Sequence, residues 1–208
     1  ELFSLIKDYE SIQDRLGRLS SFSQLIYAAD MSDEKNGQFY QTMQESCTEI
    51  STLLLFVTLE INRLDPGRVE LLLESPTLGA YSSWIRDCRI FGPYQLSDDV
   101  EAILLDKTVT GKAAWVRLFD ETISNLRFHH GGKVLNSSEA FDLLASSDGN
   151  IRSGIAREIS KVLTDQSRTL TLITNTLIKD KEIEDTKRSF GAPISARNLE
   201  NLVEDEIV

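Results

Sequence analysis

The sequence predicts a mainly α-helical fold: long antiparallel helical hairpins, bundle-like packing and one small β-hairpin near residues 126–135. Three observations carry that reading. Apolar residues recur at spacings of three and four over long stretches, the period of a helix with one buried face. Gly 11 and Pro 4 are few for 208 residues, which disfavours a turn-rich β architecture. Gly131-Gly132 stands between two short apolar runs, the local signature of a tight hairpin turn.

Leu5, Tyr9, Ile12, Leu16, Leu19, Phe22 and Ile26 form the stripe of a first long helix. After the polar break "ADMSDEKNG" the pattern resumes with Tyr40, Met43, Cys47, Ile50, Leu54, Val57, Ile61 and Leu64. So short a connection makes the two helices antiparallel neighbours. Leu53, Leu55, Phe56 and Leu59 lie off the second stripe and predict burial on several sides there. Asp33 and Glu34 fall in the first turn of this helix, where its dipole favours negative charge, and Pro66-Gly67 read as its end.

Shorter helical signals follow at 69–73 and 81–91. Ser97 is the expected N-cap of a helix carrying Val100, Ile103 and Leu104, with acids in its first turn. Gly111 restarts the chain into a helix that groups Trp115, Leu118, Phe119, Thr122 and Leu126. Beyond the hairpin, Asn136 or Ser137 caps a short helix through Leu144. From about Asp148 to Lys187 the pattern predicts one long helix through Ile151, Ile155, Ile159, Val162, Leu170, Ile173 and Leu177. Glu184 and Arg188 make a favourable i,i+4 pair at its end. Ser195 caps a last helical stretch with Leu199, Leu202, Val203 and Ile207, and that pattern still runs where the sequence stops. Three regions result: a helical hairpin domain at 1–74, linking helices at 75–125, and the β-hairpin with the long helix at 126–208.

A net charge of -11 lacks the basic footprint of a nucleic-acid binder and argues against attraction to an anionic membrane surface. The longest apolar run, "LLLFV", is far too short to span a bilayer. The N-terminal stretch lacks a basic region and a cleavage site, and the initiating Met is absent. Cys47 and Cys88 make no disulfide framework, which fits a reduced, cytoplasmic setting.

Chemistry is sparse. His129 and His130 are adjacent on a predicted strand, so their side chains point to opposite faces and grip one metal badly. Cys47 lies in the helical stripe as a small core residue. Cys88, between Arg86 and Arg89, is placed where the cations would lower its pKa, but no histidine is near in sequence. Asp98-Asp99, Glu182, Glu184 and Asp185, and Glu204 to Glu206 are read as solvated faces and helix starts. Neither histidine follows a Glu by three residues, as a di-iron bundle needs. No P-loop, dinucleotide turn, nucleophile elbow or His-Glu-x-x-His occurs. The residues alone offer no catalytic and no metal site.

Several stretches together resemble one family. "LGRLSSFSQLIYAADMSDEKNGQFYQ" followed by "LLLFVTLEINRLD" is similar to the helical N-terminal domain of oligoendopeptidase F. "DKTVTGKAAWVRLFDETISNLRF" resembles the segment joining that domain to the catalytic one. "LITNTLIKDKEIEDTKRSFGAPISARNLENLVEDEIV" resembles the family's long helix and the turn after it. The resemblance implies a cytoplasmic zinc metallopeptidase of the thimet-oligopeptidase type, cutting short unstructured peptides in a channel between helical lobes. Its zinc ligands and general base are on a His-Glu-x-x-His helix and a later Glu, none of which this chain contains, so no catalytic or metal residue carries over. The chain is therefore expected to be the N-terminal, non-catalytic portion of a peptidase, inactive alone, with zinc in the parent only. Its expected partners are oligopeptide substrate and a C-terminal catalytic domain, with neither nucleic acid nor membrane. Arg197 and Asn198 are the channel-lining candidates; the alternative pairs Arg197 with Glu200 or Asn201. Such a portion should also self-associate or show a large exposed apolar face. Two other readings stay open: a naturally short, inactive homologue, and an acidic helical module that binds a basic or helical partner.

Overall fold

The computed structural model describes residues 1–207; residue 208, where the predicted last helical run ends, lies outside them. The fold is mainly α, as the periodicity requires. Helix α1 (Leu2–Ala29) and helix α2 (Glu34–Arg63) form the antiparallel hairpin. Asp33 is the N-cap of α2, its carboxylate accepting the Lys35 N–H at 2.8 Å. Near the connection the rings of Tyr27 and Tyr40 stack at 4.9 Å. Pro66 opens the next helix rather than closing α2. It occupies the first turn of α3 (Pro66–Leu73), where its missing N–H has no intrahelical partner to lose, and Asp65 caps it through Arg68 N–H at 3.0 Å.

The linking region continues through α4 (Pro76–Gly79), α5 (Ser82–Arg89), a 3-10 turn at Gly92–Tyr94, α6 (Asp98–Lys107) and α7 (Lys112–Ser124). Strands β1 (Phe128–His130) and β2 (Lys133–Leu135) pair antiparallel, with Phe128 opposite Leu135 and His130 opposite Lys133. Their turn places Gly131 at φ +57° and Gly132 at φ +77°, the left-handed pair a two-residue turn of this kind needs. Asn136 and Glu139 form a reciprocal capping box at the start of α8 (Ser137–Asp142). Then come α9 (Gly149–Asp165), α10 (Ser167–Arg188) and α11 (Ser195–Glu200).

Two buried clusters organise these elements. Ile6, Val57, Ile61, Val69, Leu78 and Ile85 join α1 and α2 to α3, α4 and α5. Leu126, Phe128, Ala140, Ile155 and Ile159 seat the β-hairpin on α8 and α9. The second contact is close: His130 lies against Gly154, where a Cβ would meet its imidazole carbon at 2.8 Å. Glu158 on the same helix accepts the His129 N–H at 3.1 Å.

Three expectations need correction. The long helix predicted from Asp148 to Lys187 is two, broken at Gln166 (φ -94°, ψ 0°). The step of eight residues from Val162 to Leu170 rotates the apolar stripe, so α9 packs on β1 while α10 packs on α7. The later half of α2 is enclosed only in part: Leu59 is buried and Leu55 half-buried, but Leu53 is 75% and Phe56 50% exposed. The last helix stops at Glu200. Leu202 turns left-handed (φ +54°), the Val203 N–H returns to Asn198 O at 2.9 Å, and Leu202 N–H bonds Leu199 O at 3.1 Å. This is a Schellman closure on a residue other than glycine. Among the described residues, no helix is long and apolar enough to cross a membrane.

Candidate functional site

A groove of about 890 Å³ opens between α2, α5, the Gly92–Tyr94 turn, α10 and α11, within the size range of ligand clefts. Leu55 and Leu59 of α2 line it with Trp84 and Cys88 of α5; Phe91 and Tyr94 come from the turn, and Leu177 and Ile178 from α10. Charged side chains stand among them, including Lys112, Asp180, Arg197 and Glu200.

One ion-pair clasp fixes the α10 wall. Arg188 grips both oxygens of Glu101, at 2.6 and 2.8 Å, and also reaches Glu184 at 2.8 Å and the Tyr94 carbonyl at 3.3 Å. The predicted Glu184–Arg188 pair therefore forms, yet the partner contributed by α6 is the more buried one. The Arg188 and Glu101 side chains are only 18% and 11% exposed, and such planar, two-pronged pairing is the strong form of a charge-assisted bond. Glu101 additionally accepts the Leu96 N–H at 2.8 Å. Burial pushes the Glu101 carboxyl up, but the bonds from Arg188 and Leu96 outweigh it and hold its pKa below the usual value. Its bond to Glu101, ahead of that to Glu184, raises the pKa of Arg188 further.

The turn after Arg188 completes the wall. Ser189 adopts φ +64°, and Phe190 N–H returns to Asp185 O at 2.9 Å. That closure lays the Phe190 ring on Tyr94 with centroids 4.2 Å apart. On the opposite wall, Asn62 donates through Nδ2 to Gln95 Oε1 at 2.9 Å, while its Oδ1 is buried without a hydrogen-bond partner among the described residues. Arg89 binds the α2 end by donating to the carbonyls of Ile61 and Leu64, at 2.7 and 2.8 Å.

Arg197 is an exposed member of the groove lining, and its guanidinium makes no ion pair or hydrogen bond among the described residues. Asn201 touches its backbone instead, with Nδ2 donating to the Arg197 carbonyl at 2.9 Å. Asn198, next to it, is 4% exposed and does not line the groove. Sequence reading missed Asn62, Trp84, Tyr94, Glu101 and Phe190, which become neighbours only through packing.

His129 is exposed on β1 while His130 is packed against Gly154. Among the described residues, no group of three or more His, Cys, Asp or Glu side chains is arranged to hold a metal ion. Among the described residues the donor set does not converge on a zinc site. Cys47 is buried in the helical hairpin. The flanking Arg86 and Arg89 do not activate Cys88: burial, then the neighbouring Asp87, pushes its pKa up to about 11.

Residues 60–128 match the family model described as Oligopeptidase F, the N-terminal model of that peptidase family. The fold is similar to the crystal structure of oligoendopeptidase-F from Enterococcus faecium, with TM-score 0.85 and 16% identity over 98% of this chain and 40% of that one. A candidate peptidase from Chlamydophila abortus gives TM-score 0.62 and 18% identity over 99% of this chain and 36% of its own. No curated protein matches in sequence. This chain thus spans well under half the length of either structure. The resemblance read from the sequence is supported: residues 60–128 match the Oligopeptidase F model, and the helical fold around them is similar to that of oligoendopeptidase-F.

Proposed function

We propose that this chain is the non-catalytic helical portion of a zinc-dependent, cytoplasmic oligoendopeptidase, where it forms one wall of the channel that admits short unstructured peptides. The observation that carries the reading is the groove: a half-open, largely apolar recess on a chain whose fold matches 40% of an oligoendopeptidase-F. Its walls are held by the Arg188–Glu101 clasp rather than by mobile loops. A rigid wall of this kind selects extended peptides by shape and shields them from water. Zinc supplies water activation in such an enzyme. We propose that its ligands lie in the remainder of the parent; among the described residues of this chain no group of histidines, cysteines and carboxylates is arranged to hold a metal. The free thiols of Cys47 and Cys88 are in keeping with a reducing compartment.

Arg197, in the lining and without an ion-pair partner among the described residues, is proposed to meet the peptide. In the complete peptidase, Arg197→Ala is expected to raise KM for peptides several-fold with kcat little changed, the sign of lost binding common to ground and transition states. An unchanged KM with a lower melting temperature would make Arg197 structural. The 208-residue chain itself is expected to leave a quenched peptide uncut in the presence of zinc.

Exposed apolar side chains at two places along the α1–α2 hairpin are in keeping with association. Phe22, Leu25, Leu53 and Phe56 of α1 and α2 are each at least half exposed, at 56%, 70%, 75% and 50%. Large apolar side chains left open in this way mark packing surfaces. We place the catalytic portion of the parent, or a second copy of the isolated chain, against them.

A further inference from the structure

We infer that the open flank of the α1–α2 hairpin is a self-complementary interface. A second copy of this chain docks there, and the two hairpins make a four-helix bundle about a two-fold axis parallel to them. Such a dimer is independent of the channel-wall reading and decides between the two occupants proposed for the hairpin. On α1, Leu5, Ile12 and Leu19 recur every seven residues, with Arg15 and Phe22 at the intermediate positions, the repeat of a helix seam that meets other helices. On α2, Phe39, Ile50 and Leu53 share one side. Phe22 and Phe39 meet edge to face with centroids 6.3 Å apart, so both rows open on the same flank. Every one of these apolar side chains is 37–75% exposed.

Two charges on this flank decide which partner fits. Arg15 and Glu49 are exposed, and neither has an ion-pair or hydrogen-bond partner among the described residues. The ring pairs Phe22–Phe39 and Tyr27–Tyr40 set the register of the hairpin and bring Arg15 level with Glu49, one on each helix. Arg18 and Glu45, one turn further along, repeat the arrangement, although Arg18 also holds Asp14 at 3.0 Å. A two-fold rotation about an axis along the hairpin keeps each level and exchanges the helices. Helix α1 of one copy then lies antiparallel on α2 of the other, and Arg15 faces Glu49 of the second copy twice per dimer. With the axis across the hairpin, like helix would lie on like helix and the two charges would stay apart. A purely basic helix would suit Glu49 and repel Arg15, and an acidic one the reverse. The second copy supplies both charges and a matching apolar row. Two helices each about 10 Å across, in contact over about 25 Å, give a footprint of about 500 Å² per copy. That is at the low end for a specific interface, so the dimer exchanges with monomer.

The test reverses the two charges in the 208-residue chain and reads association by sedimentation equilibrium up to about 100 µM, where a micromolar dimer is populated. The native chain is expected to dimerise. Arg15→Glu and Glu49→Arg, both at exposed positions, should each weaken the dimer by ~10-fold or more, since like charges then face each other twice. An equimolar mixture of the two variants should regain the native affinity, because every Glu meets an Arg across the mixed pair. Leu19→Ser should weaken association through lost apolar contact, and Ile178→Ser in the groove should leave it unchanged. A native chain that stays monomeric overturns the dimer and leaves the catalytic portion as the occupant of the flank. A dimer indifferent to both charge reversals, or a mixture no tighter than its components, overturns it as well. Neither failure touches the groove or its channel-wall reading.

Discussion

Ile178 in the groove and Leu53 on the α1–α2 hairpin are both large apolar side chains left mostly open, at 60% and 75% exposure, yet their settings differ. Ile178 stands in a recess walled by aromatic rings, beside a clasped ion pair. Leu53 and Phe56, like Phe22 and Leu25, sit on the long helices away from that recess. A concave apolar surface with a few fixed polar groups suits a ligand held in one orientation. Apolar side chains on a helix flank, without such anchors, suit packing against another folded surface. Exposure alone does not separate the two roles; shape and polar anchoring do.

The clasp is where the comparison breaks most sharply. Arg188→Ala leaves Glu101 largely buried without its cation, and losses of about 3–5 kcal/mol are typical for such a break. For a chain of this size that corresponds to a fall in melting temperature of roughly 10 °C, read by calorimetry. Arg188→Lys should recover only part of it, because an ammonium lacks the planar fork that pairs in parallel with both oxygens of Glu101 while also reaching Glu184. The flank of the α1–α2 hairpin offers no single residue with a comparable effect.

Acid should act through the same clasp. The folded pKa of Glu101 lies below its ordinary value, so the carboxylate stabilises the fold fully above about pH 4.3. That contribution is lost as pH falls through the lowered folded value. Urea unfolding at a series of pH values should show this decline in the native chain and a flatter profile in Arg188→Ala.

How far this was legible in the sequence follows from the range of each interaction. The stripes of α1 and α2, the Gly131-Gly132 turn and the Asn136–Glu139 box are set by neighbours a few residues apart, and all were readable. The Glu184–Arg188 pair was readable for the same reason. Glu101 was not, because it meets Arg188 across 87 residues. The break at Gln166 lay hidden because the apolar residues on either side keep helical spacing, and only their rotated phase records that α9 and α10 face different partners. Leu202 concealed the end of α11, since nothing in a leucine announces a left-handed turn. Of the pair singled out as channel lining, the exposed Arg197 reaches the groove and Asn198 turns into the interior.

Smaller effects sharpen the contrast between the two surfaces. Ile178→Ser and Leu53→Ser, both at exposed sites, should each change stability by no more than about 0.5 kcal/mol. Sedimentation velocity should then show weaker self-association for Leu53→Ser and none of that change for Ile178→Ser. The smallest signal comes from Cys88. With its thiol pushed up to about 11, little thiolate exists near neutrality. Alkylation by iodoacetamide at pH 7.5, followed by mass spectrometry, should run roughly 100-fold slower than for an ordinary free cysteine.

The central claim is that the groove, and not the hairpin flank, faces the peptide. Photo-cross-linking with a short peptide carrying a benzophenone side chain, mapped by mass spectrometry, tests it most directly. Adducts concentrated on Trp84, Tyr94, Ile178 and Arg197 are the expected result. Adducts concentrated on Phe22, Leu25, Leu53 and Phe56, with the groove unlabelled, would contradict it.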